Sequence, residues 1–193
     1  PMALLLPDTS TMMELLAALH PLHRTLVSDG TDRALEIVGD YLPDSRRYRI
    51  NRYPSGQKVW TWTVPKEFVV HEAYLEVLRN GREERVVDFR ETTLHLVSYS
   101  QPVDEVLSFD VLDPHLYHNK ENPDAIPWVF KYYDEAWGFC LPYNQYKALP
   151  RDAEYRAVVR TEFRDDYLKV GEYDIPGGSD EYLVFVAAIC HPC

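Results

Sequence analysis

Glu181-Tyr-Leu-Val-Phe-Val-Ala-Ala-Ile189, followed at once by Cys190-His191-Pro192-Cys193, is the stretch that decides how this chain is read. It is a continuous apolar run with no polar alternation, of strand length and rich in strand-forming residues. Such runs belong to strands buried on both faces, inside a helix-covered sheet. The run therefore predicts an α/β element over residues 181–189. His191 follows its carboxyl end, where open α/β sheets bind their ligands. A His held there suits a metal ligand, although on spacing alone a residue that only caps or packs the strand end is the better reading. Cys190 and Cys193 also reproduce the C-x-x-C layout of redox proteins, although that chemistry needs a helix N-terminus directly after the first thiol.

Upstream, the pattern is different. Glu154–Thr161 and Tyr167–Tyr173 read as a hairpin around Asp165-Asp166. Residues 119–150 are loop-like, with Pro123, Pro127, Pro142 and Pro150. Asp104–Tyr117 reads as a short helical stretch and residues 94–99 as a short strand. Phe68–Leu78 is a strand closed by Asn80-Gly81, a strong hairpin signal, with Val86–Phe89 returning. Val59–Val64 and residues 46–52 have strand character. Residues 9–42 are helical, with Thr9, Ser10 and Thr11 offered as caps, a break at Pro21 and a second helix facing inward through Leu35, Val38 and Leu42. The fold class expected is α+β to α/β: N-terminal helices, a β-rich inserted domain, and the start of an α/β sheet that is incomplete where the sequence stops. The expected division is residues 1–54, 55–145 and 146–193.

Composition narrows the function. The chain has 193 residues, with 31 acidic against 20 basic side chains and a net charge of −11. That balance argues against nucleic acid or an anionic membrane surface as partner, since both call for basic patches. No run approaches the roughly 20 apolar residues that span a bilayer. The opening residues lack the basic segment of a signal peptide. Three cysteines give no disulfide framework, which predicts a reducing, cytoplasmic setting. Aromatics reach 13%, and 14 Pro against 8 Gly predict β-structure with many bends.

Four tryptophans, Trp60, Trp62, Trp128 and Trp137, together with Tyr74, Tyr132, Tyr133 and Phe139, are suited to lining a carbohydrate- or peptide-binding surface. They suit the core of a small β-domain better. His20 and His23, and His115 and His118, stand three apart, but no carboxylate-rich metal motif accompanies either pair. Cys140 has no assigned base and reads as a buried thiol.

Several segments in order carry a family resemblance: Leu22-His-Arg-Thr-Leu26 with Ser28-Asp-Gly-Thr-Asp-Arg33; Tyr53-Pro-Ser-Gly-Gln-Lys-Val-Trp60 with Trp62-Thr-Val-Pro-Lys-Glu67; Tyr99-Ser-Gln-Pro-Val103; Asp124-Ala-Ile-Pro127; Trp137-Gly-Phe-Cys140; Ile175-Pro-Gly-Gly-Ser179; and Cys190-His-Pro192. Over nearly its whole length the chain resembles the bacterial aminopeptidase-like DUF4910 proteins with an embedded DUF2172 segment, related to the M28 zinc aminopeptidases and often placed near polysaccharide biosynthesis. The resemblance implies an M28-like α/β peptidase domain carrying a β-rich insertion. It implies zinc as cofactor, a peptide or amide as substrate, and room for a homo-oligomer. His191 matches the metal-binding His of the family motif. The bridging Asp, the later carboxylates and the second His have no counterpart before the sequence stops, so no catalytic residue is assigned. A zinc pair activates a water and polarises the scissile carbonyl, and each ion needs three or four ligands. One His meets neither need, so the stretch alone is expected to be inactive. A non-catalytic protein- or glycan-binding module is the alternative.

Overall fold

The structure is a computed structural model, and it describes residues 8–190. Its longer elements are α1 (Thr9–Leu19), α2 (Asp29–Asp40), β1 (Tyr48–Pro54), β2 (Glu67–Arg79), β3 (Arg82–Asp88), β4 (Val103–Ser108), α3 (Phe109–Leu112), α4 (Tyr143–Ala148), β5 (Glu154–Arg164) and β6 (Tyr167–Tyr173). Two compact units result. One is residues 67–164; the other combines the chain up to Lys66 with the chain from Asp165.

The first unit is a four-stranded antiparallel sheet in the order β3-β2-β5-β4. Asn80 and Gly81 both have positive φ, 53° and 70°, as the tight turn between β2 and β3 requires. Alternate residues of β2 and β5, among them Phe68, Leu75, Tyr155, Ala157 and Val159, point to one face and are buried. Leu96, Phe109, Leu112, Leu116, Phe139 and Leu141 cover that face from loops and short helices. The opposite face carries ion pairs, among them Arg160–Glu72 at 3.1 Å and Arg156–Asp104 at 3.3 Å.

The second unit packs α1 and α2 with a two-stranded antiparallel pair, β1 and β6. Asp8, rather than Thr9–Thr11, caps α1 by accepting the Thr11 N–H at 2.8 Å. Tyr48 of β1 ties the layers together by donating its hydroxyl to the Leu35 carbonyl at 3.1 Å. Gly39 and Gly171 leave the room for that ring: a Cβ at Gly171 would lie 2.2 Å from Tyr48 Oη, and one at Gly39 2.9 Å from the ring. Lys169 of β6 pairs with Asp32 of α2.

Three expectations are corrected. Residues 154–161 and 167–173 do not pair with each other: β5 lies between β2 and β4, while β6 joins β1 in the other unit. A turn at Asp165-Asp166 is locally plausible, but strand pairing is decided by buried faces far apart in sequence. Residues 103–108 form a strand before any helix begins, because β5 offers an open edge there. Residues 94–99 hold a 3-10 turn and two isolated bridges rather than a strand.

The deciding run has no covering layer among the described residues, as expected of a sheet that is incomplete where the sequence stops. Residues 181–190 form neither helix nor strand and have no strand partner among the described residues, and Tyr182 and Phe185 are 91% and 93% exposed. Apolarity makes a segment fit for a buried strand, but only a neighbouring backbone makes it one. No described helix is long and apolar enough to cross a membrane.

Candidate functional site

In the second unit, the loop between α1 and α2 folds around buried polar groups. Ser28 caps α2, its Oγ accepting from the Thr31 N–H at 3.3 Å. The same oxygen accepts from the Thr25 N–H at 3.1 Å. Thr31 donates its hydroxyl to the Thr25 carbonyl. Gly30 sits so close to the His23 carbonyl that a Cβ would be 2.0 Å from its oxygen, so no larger residue fits. Burial brings His23 down to about 4, with its Nε2 sealed from solvent.

Arg24 extends from this knot. It is 6% exposed and donates from Nη1 to the Ile189 carbonyl at 3.1 Å, across 165 residues of sequence. Residues 181–188 are exposed, whereas Ile189 and Cys190 are half-buried. The apolar run is therefore seated where Arg24 meets it, one residue before Cys190. Burial raises the Cys190 thiol pKa, the direction opposite to that of an activated redox thiol. His191 and Cys193 lie outside the described residues. Among the described residues no group of three or more His, Cys, Asp and Glu could hold a metal ion. These residues by themselves do not fit a zinc centre.

The tryptophans divide between the units. Trp60 stands at the tip of a small hairpin formed by Lys58–Val59 and Trp62–Thr63, 99% exposed and with φ 53°. Trp62 is half-buried beside it in sequence. In the first unit, Trp128 is half-buried and packs on Phe130 with centroids 4.8 Å apart. Phe130 stacks on Tyr132 at 4.5 Å, and Tyr132 meets Tyr133 and Tyr99 edge-on. Phe130 and Tyr133 are 44% and 62% exposed, so this ladder reaches from the core to the surface. The residues that carry it are knit to residues 96–101 by backbone bonds such as Ser98 N–H to Val129 at 2.9 Å and Lys131 N–H to Ser98 at 2.9 Å. Trp137 stacks flat on His115 at 3.8 Å, and His115 Nδ1 is 2.9 Å from the Trp137 carbonyl. His118 packs on Tyr143 and Tyr146. Both histidines of that pair thus serve aromatic packing. Cys140 is buried, and burial pushes its thiol up to about 12.

Two clefts lie on the surface of the described residues. One of about 370 Å³ lies between α2 and the β1–β6 pair, with Asp32, Tyr48, Arg52 and Lys169 in its wall. The other, about 380 Å³ and shallow, lies over His71, Asp104 and Arg160 of the sheet. Arg164 and His71 hold Glu162 near it down to about 2.

Comparison with known proteins gives three likenesses. Residues 67–162 match the family model described as Domain of unknown function (DUF2172). The match coincides with the first compact unit to within two residues at its end. Over 178 residues the chain is 36% identical to a Clostridium acetobutylicum protein named "Putative polysaccharide biosynthesis protein with aminopeptidase-like domain", covering 92% of this chain. It spans 39% of that relative's length. A crystal structure of a "putative peptidase" from Clostridium acetobutylicum superposes with a TM-score of 0.74 at 36% identity, over 85% of this chain and 37% of that one.

Sequence reasoning put His191 and the tryptophans forward but missed Arg24 and Phe130. Arg24 lies inside the quoted Leu22–Leu26 motif, so the motif was visible and its contact was not. Phe130 was hidden by a proline-rich setting that read only as loop.

Proposed function

We propose that the whole protein is an M28-like, zinc-dependent aminopeptidase-type hydrolase of the DUF4910 group acting on a peptide or similar amide in the cytoplasm. His191 contributes one metal ligand. The observation that carries this reading is the 36% identity over 92% of the chain to a protein named for an aminopeptidase-like domain. The likeness to a structure described as a peptidase's supports it. The described residues hold no ligand set, so no step of hydrolysis is derived through the metal. The test is hydrolysis of aminoacyl-p-nitroanilides by the full-length protein, with metal analysis of wild type and His191→Ala. Activity and at least one zinc per chain, both lost in the variant, are expected. Equal zinc stoichiometry in the two would remove the ligand assignment.

A second reading is favoured by the partly exposed ladder Trp128–Phe130–Tyr132–Tyr133: a protein- or glycan-binding face, in keeping with the polysaccharide wording of the relative's name. Rings presented this way stack on the apolar faces of sugars. On this reading Phe130→Ala and Tyr133→Ala abolish retention on a glycan array. An array with no wild-type hits discards the glycan form.

A further inference from the structure

We infer that His118 is an acid-sensitive latch: while neutral it holds the strap of residues 118–124 against α4, and when protonated it lets the strap go. Every group involved lies within residues 67–164, the unit that carries the family match, and no part of the peptidase reading enters.

The strap is tied at both ends. It begins where Tyr117 leaves a short parallel pairing with Cys140, the Tyr117 carbonyl accepting from the Leu141 N–H at 3.0 Å. It ends on α4, where the Asn144 N–H donates to the Pro123 carbonyl at 3.0 Å and the Asn144 side chain donates to Asp124 at 2.6 Å. Between these ties His118 lies on both tyrosines of α4, with ring centroids 4.1 Å from Tyr146 and 5.0 Å from Tyr143. Its Nδ1 is sealed from solvent, and no other described residue hydrogen-bonds it.

A neutral imidazole fits that seat, because one of its nitrogens carries no proton; in imidazolium both nitrogens must donate. Protonation therefore buries a charged N–H with no acceptor, which costs more than an unfilled neutral nitrogen. The surroundings are also cationic. Lys120 of the strap and Lys147 of α4 stand over the Tyr143 ring at 5.8 and 5.1 Å, and Arg151 stands over Tyr146 at 4.6 Å. The rings that would attract an imidazolium already carry three cations. Asp113, from the turn Asp113–His115, faces the cluster, but it accepts from the Tyr146 hydroxyl at 2.7 Å and lies 3.9 Å from Arg151. Burial, then Lys120 and Arg151, lower the His118 pKa; Asp113 and the residue's own backbone oppose this without reversing it. His115 is the contrast: its Nδ1 lies 2.9 Å from the Trp137 carbonyl, an acceptor that suits a protonated ring. The folded pKa of His118 is below the ordinary 6.5, so the latch is closed above about 6.5 and opens as pH falls through the folded value.

The experiment is hydrogen exchange on the full-length protein at pH 7.5 and pH 5.5, with rates corrected for the intrinsic pH dependence of exchange. One proton taken up on opening raises the strap's opening constant by about two- to tenfold over that interval. The strap amides and that of Asn144 are expected to show this rise, and those of β2 and β5 are not. His118→Phe, whose ring takes up no proton, is expected to show none. A wild-type rise under about twofold, a rise shared by β2 and β5, or an equal rise in His118→Phe overturns the proposal. If His118→Phe does not fold, His118→Gln carries the comparison, and a rise equal to the wild type's overturns it.

Discussion

Residues 67–164 and the unit flanking them in sequence reach a folded state by different means. The first closes on itself: β2 and β5 bury one face under Leu96, Phe109, Leu112 and Phe139 and leave ion pairs on the other. The second buries little apolar surface on its two-stranded sheet. Besides the buried Leu19, Val27, Ala34, Leu35 and Val64, it is held at particular points, by Tyr48 between two glycines, by the Lys169–Asp32 pair and by the polar knot around Ser28 and Arg24. A distributed apolar core tolerates small changes at most sites, whereas a unit pinned at a few polar points fails at those points.

The largest break falls in the first unit. Phe139→Ala removes a fully buried ring from the core cluster that also contains Leu96 and Leu116 and costs about 3–5 kcal/mol, read as a lowered urea midpoint of the full chain. A cost under about 1 kcal/mol would mean that residues 126–142 are not part of that core.

Acid acts on the second unit through His23. Its folded value of about 4 lies below the ordinary 6.5, so between them the unfolded chain binds the extra proton. The stability His23 contributes is present above about 6.5 and lost as pH falls toward 4, by about 3 kcal/mol. Urea unfolding of wild type and His23→Leu at pH 7 and pH 4 checks this: the wild type should lose that much more. Parallel losses would mean His23 is open to water.

The smallest effect is steric. Gly171→Ala sets a methyl against Tyr48 Oη, forces the ring to shift and weakens its bond to Leu35, for about 1–3 kcal/mol. Gly177→Ala, with nothing within 4 Å, serves as the control and should change the thermal midpoint hardly at all.

What could be read in advance follows the range of the forces involved. The Asn80-Gly81 hairpin and the two helices depend on neighbours a few residues away, so they were legible. The apparent 154–173 hairpin was wrong for the opposite reason. Its turn was local, but its partners, β2, β4 and β1, lie 46 to 125 residues off. The tryptophans were visible as a class, yet exposure separated the bare Trp60 from Trp137 stacked on His115.

By itself the amino-acid order determined the helices, the first hairpin, the acidic character and the motif ending in Cys190-His191-Pro192, because each is written in adjacent residues and their side-chain chemistry. Only the tertiary structure decided that residues 67–164 form a unit apart, that β5 and β6 part company, and that Arg24 reaches Ile189. Those outcomes rest on which buried faces and unpaired carbonyls find each other across the chain, and short-range pattern carries no record of that.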